Sequence, residues 1–252
     1  MVKKATLFFV ILVSFFGYAQ NDVRFDKATE AYNRGEFSEA IINYEKILAS
    51  GEHSAELYYN LGNAHYKLNH IAPSIYNYEK ALLLSPNDAE IKNNLSYAKN
   101  MTLDAIEQLP ETNLRSFYKK ITGIFTVDQW GYAAIIFVML FVLMYILFRF
   151  LRYATQKRIA FILSLVSLLL CILSVVFAFV TQSDYDKDAP AIVFAEESIV
   201  QAEPNNRSEA VFRLHEGTKV NVLEELNDWR KIVLADGKTG WIASDDIKLI
   251  KN

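Results

Sequence analysis

The sequence predicts a multidomain membrane protein: an all-α superhelix of repeats, a two-helix transmembrane hairpin and a small all-β barrel, in that order. Three observations carry this. Two runs, Trp130–Phe148 and Ile159–Val180, are 19 and 22 residues long and hold no charge. At about 1.5 Å of rise per residue, each can cross a hydrocarbon core of roughly 30 Å as a helix. Residues 28–47 and 62–81 repeat at a spacing of 34. From Ala191 the chain changes to short β-rich runs, punctuated by turn residues such as Glu216–Gly217 and Asp236–Gly237.

Residues 1–19 begin with Lys3 and Lys4, continue through an apolar core, Leu7–Phe16, and end with the small residues Gly17 and Ala19 before a cleavage point. This is the pattern of a secretory signal peptide, too short in its apolar part to span a bilayer.

Residues 21–108 form the repeat region. Ala28, Gly35, Phe37, Ala40, Tyr44 and Ile47 align with Gly62, Asn69, Ile71, Ser74, Tyr78 and Ala81, each pair 34 apart. Small residues at the crossings let two helices approach closely, and Pro86 stops the second. Asn87–Asp88 can cap a further helix, Ala89 to about Glu107, which closes the stack. The period, with Leu61–Gly62, Tyr78, Ala81 and Pro86, resembles the tetratricopeptide repeat family. That resemblance implies a concave groove holding peptides and no chemistry. The groove positions fall on Phe25, Thr29, Tyr32, Tyr59, Asn63, Tyr66, Lys67, Asn93, Asn94 and Tyr97. Asn63 and Asn94 are expected to bond a peptide backbone or a terminal carboxylate, while Tyr59 stands where the family's carboxylate-binding lysine is expected. The alternative for several of the tyrosines is packing between repeats.

Residues 110–129 follow the break at Leu109–Pro110. Leu114, Phe117, Tyr118, Ile121, Ile124 and Phe125 recur at helical spacing, with Arg115, Lys119 and Lys120 off that face. An interfacial amphipathic helix fits, and a plain linker helix is the alternative. The spans at 130–148 and 159–180 flank a loop, 149–158, whose only charges are Arg149, Arg152, Lys157 and Arg158. Short Lys/Arg-rich loops stay cytoplasmic, so the hairpin tip is expected to point inward and both flanks outward. In the second span Ser164, Ser167, Cys171, Ser174 and Ala178 form a stripe of small side chains. It suits close packing on the first span near Gly131 and Ala134, or on a partner's helix. Neither span holds an Asp, Glu, Lys, Arg or His, which speaks against an ion path.

Residues 181–190 read as a polar linker, and 191–252 as the barrel. Strands are expected near 192–194, 198–202, 210–214, 219–224, 230–234 and 240–243. The run Leu214, Gly217, Val220, Val222, Leu223, Trp229, Val233, Asp236–Gly237, Gly240–Trp241–Ile242 resembles a bacterial SH3-like domain. Gly217, Gly237 and Gly240 read as turn positions needing positive φ. Trp241 reads as core, and Trp229 is open between core and a ligand face.

The order of parts resembles the BatE-like proteins of the Bacteroides aerotolerance (Bat) system. This implies a non-enzymatic inner-membrane scaffold with two periplasmic protein-binding modules, linked to aerotolerance and envelope stress. Its partners would be membrane proteins with von Willebrand A-type domains. A cell-wall binder acting on peptidoglycan through the SH3-like domain is the alternative. The net charge of −3 gives no reason to expect nucleic acid. Cys171 is the one cysteine, so no internal disulfide can form. His53, His65, His70 and His215 lack metal-ligand spacing, and no cofactor is expected. The sequence has no Gly-x-Ser-x-Gly elbow, His-Glu-x-x-His or phosphate loop. His215–Glu216 reads as a solvated turn pair.

Overall fold

The computed structural model describes residues 21–107, 109 and 113–251. The expected signal peptide and the break at Pro110 lie outside the described residues. The chain divides into two units, residues 1–108 with 189–252 and residues 109–188.

The first unit joins the repeats to the C-terminal sheet. Its helices are α1 (21–33), α2 (Phe37–Ala49), α3 (Ala55–Lys67), α4 (Ile71–Leu84) and α5 (Ala89–Lys99). The 34-residue spacing is visible in the backbone itself. Gly35 and Asn69 both take a left-handed φ, +81° and +61°. There the amides of Glu36 and His70 reach back to the carbonyls of Ala31 and His65, the closure that ends a helix when its last residue turns left-handed. Ser54 caps α3 by accepting from the Leu57 amide, and Asp88 caps α5 by accepting from those of Glu90 and Ile91. Tyr44 is buried in one cluster with Ala28, and its counterpart Tyr78 lies over Gly62. A Cβ on Gly62 would lie 2.8 Å from the Tyr78 ring, so the close crossing requires glycine. α5 ends at Lys99 rather than near Glu107, because Thr102 to Ile106 leave the helix and pack on the sheet domain.

The sheet has seven antiparallel strands in the order β3-β2-β6-β5-β4-β1-β7. They are β1 (Pro190–Val193), β2 (Glu197–Gln201), β3 (Ala210–His215), β4 (Lys219–Leu226), β5 (Trp229–Val233), β6 (Thr239–Ala243) and β7 (Ile247–Leu249). Asn227, at φ +53°, turns the β4–β5 hairpin. Ala191, Val193, Val200, Leu214, Val220, Ile232 and Ile242 fill the interior. Gly217 and Gly237 have positive φ, as expected, but Gly240 does not. Gly240 is a strand residue of β6 pressed against the Val200 side chain, so it is needed for close approach.

All four residues of β1 are buried. Ala191 and Val193 face the sheet interior, while Ile192 joins Ile75, Tyr76, Ala72 and Ile250 in the core of the repeats. The β3–β4 turn packs on the same helices: a Cβ on Gly217 would meet Ile71 and Thr102 methyls at 2.8 Å. Two carboxylates complete the seam. Asp104 Oδ2 accepts from the His215 amide at 2.7 Å and the Thr218 hydroxyl at 2.6 Å, and Oδ1 pairs with His215 Nδ1 at 2.8 Å. His215 is thus half-buried and hydrogen-bonded to a carboxylate rather than a solvated turn residue. Glu79, buried on α4, pairs with Lys219 at 2.7 Å. Lys99 lies 3.0 Å away, near enough for charge attraction though not aligned as a hydrogen bond. Burial pushes both carboxyls up. The hydrogen bonds from Thr218 and His215 reverse this for Asp104, and the charges of Lys219 and Lys99 reverse it for Glu79, so both lie below their ordinary values.

The second unit contains α6 (Asn113–Thr122), α7 (Val127–Phe150) and α8 (Ala154–Lys187). Thr126 and Gln129 form a reciprocal capping box at the start of α7. α7 and α8 are long and apolar enough to cross a membrane. Their apolar side chains point outward, Met139 being 66 % and Phe179 79 % exposed, which a water-soluble core helix would not show. The turn between them is only 151–153 and holds Arg152, while Arg149 lies in the last turn of α7 and Lys157 and Arg158 lie in α8. α8 runs on to Lys187, through most of the stretch expected as linker. Ser164, Ser167 and Ser174 are buried against α7, with Cys171 and Ala178 partly so. Gly131 is not at this crossing, since a Cβ there would meet nothing within 4 Å. Trp130 fills the crossing instead, between Phe125 and Phe177. α6 packs on the far end of α8, where the Tyr118 hydroxyl donates to Asp184 at 2.5 Å; the side chains of Leu114, Arg115 and Lys119 lie outside the described residues.

Candidate functional site

A cleft of about 370 Å³ opens on the first helices of the repeats. It is lined by Tyr32, Tyr59, Asn63, Tyr66, Lys67, Asn94 and Tyr97 from the expected groove positions, joined by Tyr78 and Glu90. Helical spacing brings them together: Tyr59, Asn63, Tyr66 and Lys67 recur on one side of α3, and Glu90, Asn94 and Tyr97 on one side of α5.

A chain of hydrogen bonds fixes the floor. Tyr78 donates to Asn63 Oδ1 at 2.6 Å, and Asn94 Nδ2 donates to the same oxygen at 3.0 Å and to the Tyr59 hydroxyl at 2.8 Å. The Tyr59 hydroxyl in turn donates to Glu90 at 2.6 Å. Burial, then the bond to Glu90, pushes the Tyr59 hydroxyl up to about 12, and burial raises Tyr78 further. Both therefore remain donors throughout the physiological range. Lys67 at the rim is exposed and has no ion pair among the described residues.

Three expected groove residues lie elsewhere. Phe25 stacks edge-on against Tyr44 at 5.5 Å, and Thr29 bonds the Tyr44 hydroxyl at 3.1 Å. Thr29 is the 34-residue counterpart of Asn63, and both give a buried tyrosine hydroxyl its partner. Asn93 is exposed outside the cleft, because α5 turns Asn94 inward. Tyr78 was legible only as a packing residue. Glu90 carries a usable signal, since it lies four residues before Asn94 and seven before Tyr97.

On the sheet domain, Ile232, Gly240 and Ile242 point inward, so Trp229, Lys231 and Trp241 fall on the outer face. Trp241 is partly exposed, with Lys231 Nζ 5.8 Å from its ring centre, and is not core. Trp229 is partly exposed beside it, across the hairpin from Leu226.

Two family models match. Residues 55–88 match the tetratricopeptide repeat and residues 199–248 the bacterial SH3 domain. No curated protein matches the chain. Among solved structures, an NlpC/P60 family protein from Bacillus cereus ATCC 10987 is similar at 16 % identity and a TM-score of 0.22. The match covers 27 % of this chain and 22 % of that one, so the chain spans about a fifth of its length. The repeats and the SH3-like domain thus have sequence support independent of the fold. No group of three or more His, Cys, Asp or Glu side chains able to hold a metal occurs among the described residues.

Proposed function

We propose that this chain is a non-enzymatic inner-membrane scaffold, a BatE-like member of a Bat-type complex, whose cleft holds an extended segment of a membrane partner with a von Willebrand A-type domain. The carrying observation is the convergence of seven expected groove residues on one cleft. Its floor is fixed by the bonds among Tyr59, Asn63, Tyr78, Glu90 and Asn94, and its rim offers Tyr97 and Lys67, which has no ion pair among the described residues, a set suited to recognising a peptide. A raised tyrosine is a poor nucleophile and a poor base, which fits binding better than catalysis.

The seam supports a periplasmic topology with an even number of crossings. The repeats precede the two spans and the SH3-like domain follows them, yet the two pack as one unit. They therefore share one side of the bilayer, and the basic residues at the hairpin turn favour the cytoplasm for the other. A second reading, attachment to peptidoglycan, is favoured by the partly exposed Trp229 and Trp241 on the outer face of the SH3-like sheet.

The test is capture from native membranes by the full chain and by Lys67→Glu with Tyr97→Ala. Both residues are exposed at the cleft rim, so the fold should persist. Loss of von Willebrand A-type partners in the double variant supports the cleft. Equal capture rejects it, and binding to purified wall lost on Trp229→Ala and Trp241→Ala supports the second reading.

A further inference from the structure

The seam neutralises two of its lysines and leaves two others uncompensated. Lys99 and Lys219 share the Glu79 carboxylate. Lys80 of α4 and Lys248 of β7 instead sit 5.7 and 4.5 Å from the centre of one ring, that of Tyr76. Lys248 is also 5.6 Å from the Phe194 ring, which meets Tyr76 edge-on. Neither ammonium has a carboxylate within ion-pairing distance among the described residues, and the Tyr76 hydroxyl makes no hydrogen bond among them. His65 and His70 pair Nδ1 to Nδ1 at 3.1 Å, and His65 lies close enough to feel the Lys248 charge.

We infer that Lys80, Lys248 and the Tyr76 hydroxyl form an oxyanion site at the seam, taking a phosphate group, either free or as a phospholipid headgroup. Two ammoniums over one ring and that ring's own hydroxyl donor match the charge and acceptors of a phosphate. The aromatic rings beneath hold the two ammoniums in place. Electrostatics agree. The Lys80 ammonium is lowered by burial and then by the charge of Lys248. His65 is lowered to about 4 by burial, then by His70 and Lys248. A bound anion would relieve this mutual repulsion. The site shares no residue with the peptide cleft.

The test uses the full chain in neutral detergent, with thermal unfolding followed at constant ionic strength while inorganic phosphate replaces chloride. Saturable stabilisation by several degrees is expected in the natural chain and in Lys80→Arg with Lys248→Arg. It should vanish in Lys80→Gln with Lys248→Gln, which removes the repulsion and so should fold at least as well. A parallel series in phosphate-free nanodiscs compares phosphatidylcholine alone with added phosphatidylglycerol. Lysine-dependent stabilisation by the anionic lipid identifies a headgroup as the source, and stabilisation by phosphate alone identifies a free anion. Equal shifts in the glutamine variant, or no shift with either source, overturn the site.

Discussion

Asp104 is the sharpest point at which to test the union of repeats and SH3-like domain. Replacing it with asparagine keeps the shape and removes the charge. Its two oxygens receive three hydrogen bonds, from the His215 amide, the His215 ring and the Thr218 hydroxyl, and Thr218 is only 5 % exposed. Bonds to a charged group contribute about 1.5–3 kcal/mol each against about 0.5–1.5 for neutral ones. Losing the charge should therefore cost roughly 1 kcal/mol per bond, or at least about 3 kcal/mol in all, since the amide nitrogen also replaces one of the two accepting oxygens. At about 1.4 kcal/mol per factor of ten, local opening becomes about 100-fold more frequent. Hydrogen exchange on the full chain in detergent would read this in peptides covering 101–107 and 213–219. The rest of the SH3-like core should change far less. Acid supplies a second arm. The Asp104 carboxyl lies below its ordinary 3.8 in the folded chain, so its contribution is complete above that value and lost as pH falls toward the depressed one. The stability difference between natural and variant chains should narrow over the same range. Natural-level protection in Asp104→Asn, or a difference that does not shrink in acid, would refute the clasp.

Three further outcomes follow from packing. Gly217→Ala should destabilise more than Gly35→Ala, because both have positive φ but only Gly217 would press a Cβ into Ile71 and Thr102. The left-handed backbone costs about 1 kcal/mol at each site and the clash about 1–3 more, read from urea midpoints. Asn63→Ala should lower stability by about 1–3 kcal/mol, since it leaves the buried Tyr78 hydroxyl without its acceptor. Any loss of partner capture in that variant must therefore be judged against its melting temperature. Finally, Ile106 and Ala189 pack against the same core. Replacing residues 108–188 with a short Gly/Ser linker should thus yield a water-soluble protein that melts in one transition. Two separate transitions would contradict a shared core.

The elements and the order of the parts are set by signals local to each stretch of the sequence. A hydrophobic run long enough to cross a bilayer, a 34-residue period and strand-length β-rich runs are local signals, set by neighbouring residues. The equivalence of Gly35 with Asn69, and the burial of the small-residue stripe of α8, were legible in the same way. Much of the cleft was too, because seven of its residues stand where the tetratricopeptide resemblance implies that side chains face the groove. Tertiary structure alone decided what binds the parts together. Whether Ile192 faces a second core, whether Gly240 serves a turn or a close approach, and whether Trp241 is inside depends on strand pairing. Asp104 meets His215 across 111 residues, and Glu79 meets Lys219 across 140. No pattern confined to one stretch of chain encodes such pairs. The two modules are one compact unit because β1 and the β3–β4 turn bury the apolar face that the repeat helices would otherwise expose to water.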